Sequence, residues 1–135
     1  MSFSRYLGVA ISAVLLAASF PSHAQNSDAA AQGSACFYSN QFDSWRAPDD
    51  KTIFIRVGVS RFYRLDLAGP CSGITRPFAY LVNRIHGPNF ICTPLDWDLS
   101  VSDSPTGGFQ HACIVKSMTK LTPDEVASIP AKFRP

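Results

Sequence analysis

The residues best suited to chemistry fall into three groups. Asp96 and Asp98 stand two apart, and on a strand such positions share a face. Paired carboxylates can hold a hard cation such as Ca²⁺ or divide acid and base roles, and Asp66 and Asp103 could lie near them. The competing reading is a solvated strand face opposite Trp97, Leu99 and Val101. No EF-hand spacing or glycine-bearing metal loop accompanies the pair, so no metal or other cofactor is expected. The second group is His86 and His111. With Lys116 or Arg84 they could form a two-histidine acid/base site of the ribonuclease kind, although nothing in their spacing requires it. The third group is basic and aromatic. Arg56, Arg61, Arg64, Arg76 and Arg84 fall within 29 residues that hold one acid, Asp66. Phe54, Phe62, Phe78 and Tyr80 are interleaved with them. Phe54 and Arg56 share one strand face, as do Phe62 and Arg64, so a hairpin would join the four into a candidate binding surface. It would suit a carboxylate-bearing glycan, an anionic headgroup or an acidic protein patch. The alternative is that these arginines cover aromatic surface and pair with Asp43, Asp49, Asp50 and Asp66. No G-x-S-x-G elbow, H-E-x-x-H helix, phosphate loop or dinucleotide fingerprint is present.

Those residues must be positioned by short strands. Apolar residues recur mostly with period two. Thr52–Val57 places Ile53, Ile55 and Val57 on one face, and Arg61–Leu67 does the same with Tyr63, Leu65 and Leu67. Gly58-Val59-Ser60 between them is a connection of hairpin size. Weaker strands are expected over 37–45 and 96–101, where Trp97, Leu99 and Val101 alternate with Asp96, Asp98 and Ser100. Segment 78–85 fits a strand or a short helix. Ser104-Pro105-Thr106-Gly107-Gly108 is a turn, after which 109–118 returns as one strand. Thr122-Pro123-Asp124-Glu125 is a capping box with proline at the first helical position, and Pro130 stops the helix. The expected fold is a mostly β, small disulfide-bonded antiparallel sandwich or partly open barrel with one short C-terminal helix.

Length and composition set the frame. The chain has 135 residues, 46% apolar and 16% charged, with a formal net charge of +2. Residues 1–24 read as a signal peptide: Arg5, an apolar run over 7–20, Pro21, then Ser22-His23-Ala24 before cleavage. The apolar run is shorter than the ~20 residues of an ordinary spanning helix. An uncleaved anchor is the alternative, and no cysteine ends the run as in a lipoprotein. Residues 25–35 are small and polar, a flexible lead-in. Residues 36–135 form a single disulfide-bonded domain, and removing Arg5 leaves 11 basic against 10 acidic residues. Near-neutrality argues against nucleic acid, and a periplasmic or secreted monomer with no stable membrane span after cleavage is expected.

All four cysteines, Cys36, Cys71, Cys92 and Cys113, follow the leader at spacings of 35, 21 and 21. An even count in a small exported domain implies two disulfides and allows three connectivities. Cys71–Cys92 with Cys36–Cys113 is favoured, because the stretch between Cys71 and Cys92 could be one out-and-back excursion.

The order Cys36-Phe37, Trp45-Arg46-Ala47-Pro48-Asp49-Asp50, Val57-Gly58-Val59-Ser60-Arg61-Phe62-Tyr63-Arg64-Leu65, Cys71, Ile91-Cys92 with Leu95-Asp96, Cys113-Ile114-Val115 and Leu121-Thr122-Pro123-Asp124-Glu125 resembles a family of small exported proteobacterial proteins catalogued as a domain of unknown function. The resemblance implies a secreted, disulfide-bonded domain. It implies no activity and no catalytic residue. Function is therefore expected to be that of an exported non-enzymatic binding or interaction module of the cell envelope. The alternatives are an inhibitor of a lytic enzyme or protease acting through the 102–108 loop, and a small secreted hydrolase using His86 or His111. The partner would be an envelope protein, glycan or anionic headgroup.

Overall fold

The computed structural model describes residues 36–87 and 89–135. The expected signal peptide, its expected cleavage after Ala24 and the expected 25–35 lead-in lie outside the described residues. Among the described residues, nine strands run in chain order: β1 Phe37–Tyr38, β2 Phe42–Arg46, β3 Thr52–Val57, β4 Arg61–Leu67, β5 Tyr80–Asn83, β6 Phe90–Ile91, β7 Leu99–Ser102, β8 Gln110–Cys113 and β9 Val115–Lys120. One helix, α1 Pro123–Ser128, follows. The strands form three antiparallel sheets ordered β1-β6, β2-β3-β4-β9 and β5-β7-β8. The described residues are thus mostly β without a closed barrel.

The β3–β4 hairpin follows from its alternation. Ile53 pairs with Leu65 and Ile55 with Tyr63, one to one along the ladder. The inward set Ile53, Ile55, Val57, Tyr63, Leu65 and Leu67 is buried, and it anchors a core completed by Phe37, Ile74, Ile91, Leu99, Val101 and Val115. Gly58 opens the connection at φ 61, a conformation costly for any residue with a Cβ. Phe37 stacks against Tyr63 at 5.1 Å and against Trp97 at 6.0 Å between ring centroids, so β1 packs its ring onto the hairpin's inner face. Helix α1 is capped as its sequence dictates. Glu125 N–H donates to Thr122 Oγ1 at 3.3 Å, and Glu125 Oε2 accepts from Thr122 N–H at 2.7 Å. At its far end, the Arg134 guanidinium donates to the Ala127 and Ile129 carbonyls.

Segment 78–85 takes the strand of its two alternatives, as β5. Three expectations are corrected. Segment 109–118 is two strands, not one. Its first half pairs with β7 and its second half with β4, with exposed Ile114 at the corner. The run 96–101 does not alternate, because Pro94–Asp96 is a 3₁₀ turn and the strand begins only at Leu99. All four residues of β7 are buried, Ser100 and Ser102 included. The centre of a three-stranded sheet is covered on both faces, and its hydroxyls find partners: Ser102 Oγ donates to the Ser104 carbonyl at 2.8 Å and Ser100 Oγ lies 3.4 Å from Gln110 Oε1.

The third correction is the cysteine pairing. The bridges are Cys36–Cys92 and Cys71–Cys113, with Cα–Cα distances of 4.1 and 5.2 Å. The stretch between Cys71 and Cys92 is no self-contained excursion. Its β6 pairs with β1, Phe37 opposite Ile91, which sets Cys36 beside Cys92. Its β5 pairs with β7 instead. Leu67 pairs with Val115, and Ala68 N–H donates to the Ile114 carbonyl, which carries the chain after β4 to Cys113.

Candidate functional site

The four residues of the expected binding surface do share a face. Across β3 and β4, Phe54 stands opposite Arg64 and Arg56 opposite Phe62. Both arginines are occupied. Arg56 pairs with Asp43, its Nε 2.8 Å from Oδ2, and Arg64 Nε lies 2.7 Å from Asp66 Oδ1. Asp43 sits in the register shift between Phe42 and Ser44, an irregularity of the kind that re-aims a side chain. The Arg56 hydrogen bond holds the Asp43 carboxyl below its ordinary value. Asp66 also accepts from Ser117 Oγ.

The paired aspartates separate. Asp96 closes the 3₁₀ turn, its Oδ2 accepting from Cys92 N–H, Thr93 N–H and Thr93 Oγ1 at 2.8, 2.7 and 3.0 Å. Those donors, the two backbone amides foremost, hold its carboxyl below the ordinary range. Asp98 instead meets His86, Nε2 to Oδ2 at 2.8 Å. The two histidines lie apart. His111 stands opposite Val101, whereas His86 follows β5 beyond the Asn83–Leu99 pair, toward the other end of the same sheet. His86 has a carboxylate to orient it but no hydroxyl or thiol among its hydrogen-bond partners, so the nucleophile–base link of covalent catalysis is not formed. Among the described residues, no group of three or more His, Cys, Asp or Glu is placed to hold a metal.

A cleft lies elsewhere, along residues 72–79 between β4 and β5. This segment is stapled by Cys71 and pinned by buried Ile74. Tight turns link it: Ile74 N–H to Cys71 O, Arg76 N–H to Gly73 O and Ala79 N–H to Arg76 O. Phe78 has φ 66, the one non-glycine residue with positive φ among the described residues, and its exposure is 87%. A bulky side chain in this region carries strain, and such outliers concentrate at ligand sites. Phe78 lines a cavity of about 300 Å³ whose wall includes Arg76, Asp103, Phe109 and His111. Phe109 is 86% exposed. Ser102 and Asp103 bring the start of the 102–108 turn to this wall, and Ser102 Oγ organises that turn by accepting from Ser104 and Gly108 N–H. Phe78 and Arg76 also line a second cavity of about 310 Å³. Ser72, His111 and Asp103 all line the first cavity, yet no hydrogen bond joins them, so no triad is assembled. The cleft offers apolar ring faces flanked by charges, the composition of a small-molecule binding site.

The family model for a family of unknown function, DUF6491, matches residues 2–132. The chain belongs to that family. No curated protein and no solved structure matches it. Membership in DUF6491 assigns no activity, so the cleft is judged on its geometry. The sequence marks Arg76 and Phe78 within the arginine–aromatic group and His111 and Asp103 separately, but it does not bring them together, because Arg76, Pro77 and Phe78 sit in an aperiodic stretch. Its one signal was two large side chains beside a proline, between a cysteine and a strand, with no apolar pattern to bury them.

Proposed function

We propose that this member of DUF6491 is an exported, non-enzymatic binding module of the cell envelope that takes a small ligand in the Phe78 cleft. Export is supported by the signal-like 1–24 segment, by two disulfides, which persist in oxidising compartments, and by the absence among the described residues of any helix long and apolar enough to cross a membrane. The observation that carries the binding reading is Phe78, an exposed ring on a positive-φ backbone that lines two cavities. A solvent-facing phenyl gains nothing for the fold from that conformation, whereas a ligand would use it.

The test is NMR titration with envelope-derived sugars, amino sugars and their phosphates. Amide shifts over 72–79 and 101–111, abolished in Phe78→Ala/Phe109→Ala, support the reading. Shifts confined to the Phe54–Arg64 face would move the site to the hairpin. The internally hydrogen-bonded 102–108 turn favours a second reading, an inhibitor that presents this loop to a lytic enzyme. Inhibition of a lysozyme or protease that disappears on replacing Pro105 and Thr106 by glycine distinguishes it.

A further inference from the structure

The second cavity has an unusual charge balance. Its lining includes Arg46, Arg76 and Lys132 but no carboxylate. The three cations come from three places: the end of β2, the 72–79 segment and the 3₁₀ turn Ala131–Phe133 after α1. None has an acidic partner among the described residues, in contrast to Arg56 and Arg64, which the sheet neutralises with Asp43 and Asp66. Arg46 spends one N–H on the Trp45 carbonyl at 2.7 Å. Lys132 Nζ lies 4.7 Å from the centroid of the Phe133 ring, a cation–π distance. Trp45, Phe78 and Phe133 supply aromatic surface around the same space.

Three cations without an acidic partner lining one concavity repel one another, and a bound anion reverses that cost. A carboxylate bears one charge, and a single guanidinium fork satisfies it. Three cations fit a group with more charge and more oxygens. A phosphomonoester, at about −1.5 to −2 near neutral pH with three acceptor oxygens, meets that requirement. A volume near the lower end of the ~300–1,000 Å³ typical of ligand sites suits a headgroup rather than a polymer. We infer that Arg46, Arg76 and Lys132 form a cradle for the phosphomonoester of a small ring-bearing ligand, whose ring lies against Phe78. The inference rests on the cleft reading for the ring but not for the phosphate.

Isothermal titration of the oxidised protein tests it with glucose 6-phosphate, glucose, adenosine monophosphate, adenosine and inorganic phosphate. The two ring families separate a sugar source from a nucleoside source. The phosphorylated form of at least one family binds at least tenfold more tightly than its unphosphorylated parent. Lys132→Gln or Arg46→Gln weakens that form about tenfold while Arg56→Gln leaves it unchanged. Binding also weakens below about pH 6 as the phosphate gains its second proton. Arg46 and Lys132 are exposed and Arg56 is half-buried, and matching thermal melts verify folding. Equal binding of phosphorylated and parent compounds, sensitive to Phe78→Ala but not to Lys132→Gln, overturns the cradle and keeps the cleft. Phosphate-dependent binding untouched by Phe78→Ala keeps the cradle and overturns the ring contact. No binding of any compound overturns both.

Discussion

Phe78→Gly separates the cost of a backbone conformation from the use of a ring. Phe78 holds φ 66 with its side chain 87% exposed. The left-handed conformation costs an L-residue about 1–2 kcal/mol, and that cost attaches to any Cβ, so alanine bears it too. Truncation to alanine therefore shifts stability by no more than about 0.5 kcal/mol, as for surface substitutions in general. Glycine removes the conformational cost but loses about 0.5–1 kcal/mol of chain entropy. Phe78→Gly is then about 0.5–1 kcal/mol more stable than Phe78→Ala. At about 4–8 °C per kcal/mol for a domain of this size, its Tm is about 2–8 °C higher. Thermal melts followed by circular dichroism on the oxidised proteins give the comparison, and both variants lose ring-dependent ligand binding. A glycine variant that melts at or below the alanine variant would refute the claim that fold stability is sacrificed here to present a side chain.

Further outcomes are expected elsewhere in the molecule. Unreduced peptide mapping recovers Cys36 linked to Cys92 and Cys71 linked to Cys113. Replacing either pair by alanine costs about 4 kcal/mol, from loops of 56 and 42 residues in the chain-entropy account. Acid weakens the fold. Asp43, Asp96 and Glu125 are all held below their ordinary values of 3.8, 3.8 and 4.5 by bonds present only in the folded chain. Their contribution is complete above those ordinary values and is lost as pH falls through the lower folded ones, and denaturant midpoints measured from pH 6 downward show it. Asp96→Asn makes that acid-side loss shallower. Tyr63→Phe does not destabilise, because among the described residues the buried Tyr63 hydroxyl makes no hydrogen bond of normal geometry, Arg61 lying near it notwithstanding, and burial raises its pKa from the ordinary 10.0; a gain of up to about 1 kcal/mol in urea unfolding is expected. His86→Ala changes stability by less than about 1 kcal/mol, since its pairing with Asp98 is solvent-exposed.

Local features were legible where one short stretch contains its own instructions. The β3–β4 hairpin needs only alternation and a glycine, and α1 needs only Thr122, Pro123 and Glu125. Features set by distant partners were not. Which sheet each half of 109–118 joins depends on β4 and β7, not on its own residues. Cysteine pairing failed for the same reason, since it follows from β1 meeting β6. The arginine–aromatic face was correctly assembled from strand parity, but parity says nothing of Asp43, which reaches Arg56 from an irregularity in the neighbouring strand. The cleft was the least legible element. Its Arg76 and Phe78 lie in turns, and its cations are collected from segments 86 residues apart, Arg46 to Lys132.

The Cys71–Cys113 bridge bears on this cleft in a further way. It closes one residue before Ser72, and β5 begins at Tyr80. The stretch carrying Arg76 and Phe78 is thus a short span clamped at both ends, and one clamp is a covalent bond that exists only between oxidised thiols. A freshly made, still reduced chain holds the Cys71 end only by non-covalent contacts, the Cys71 N–H on the Asp50 carbonyl and the buried Ile74 side chain. On the binding reading proposed above, recognition is acquired with oxidation: the bond that stabilises the fold also completes the proposed ligand site only where thiols are oxidised.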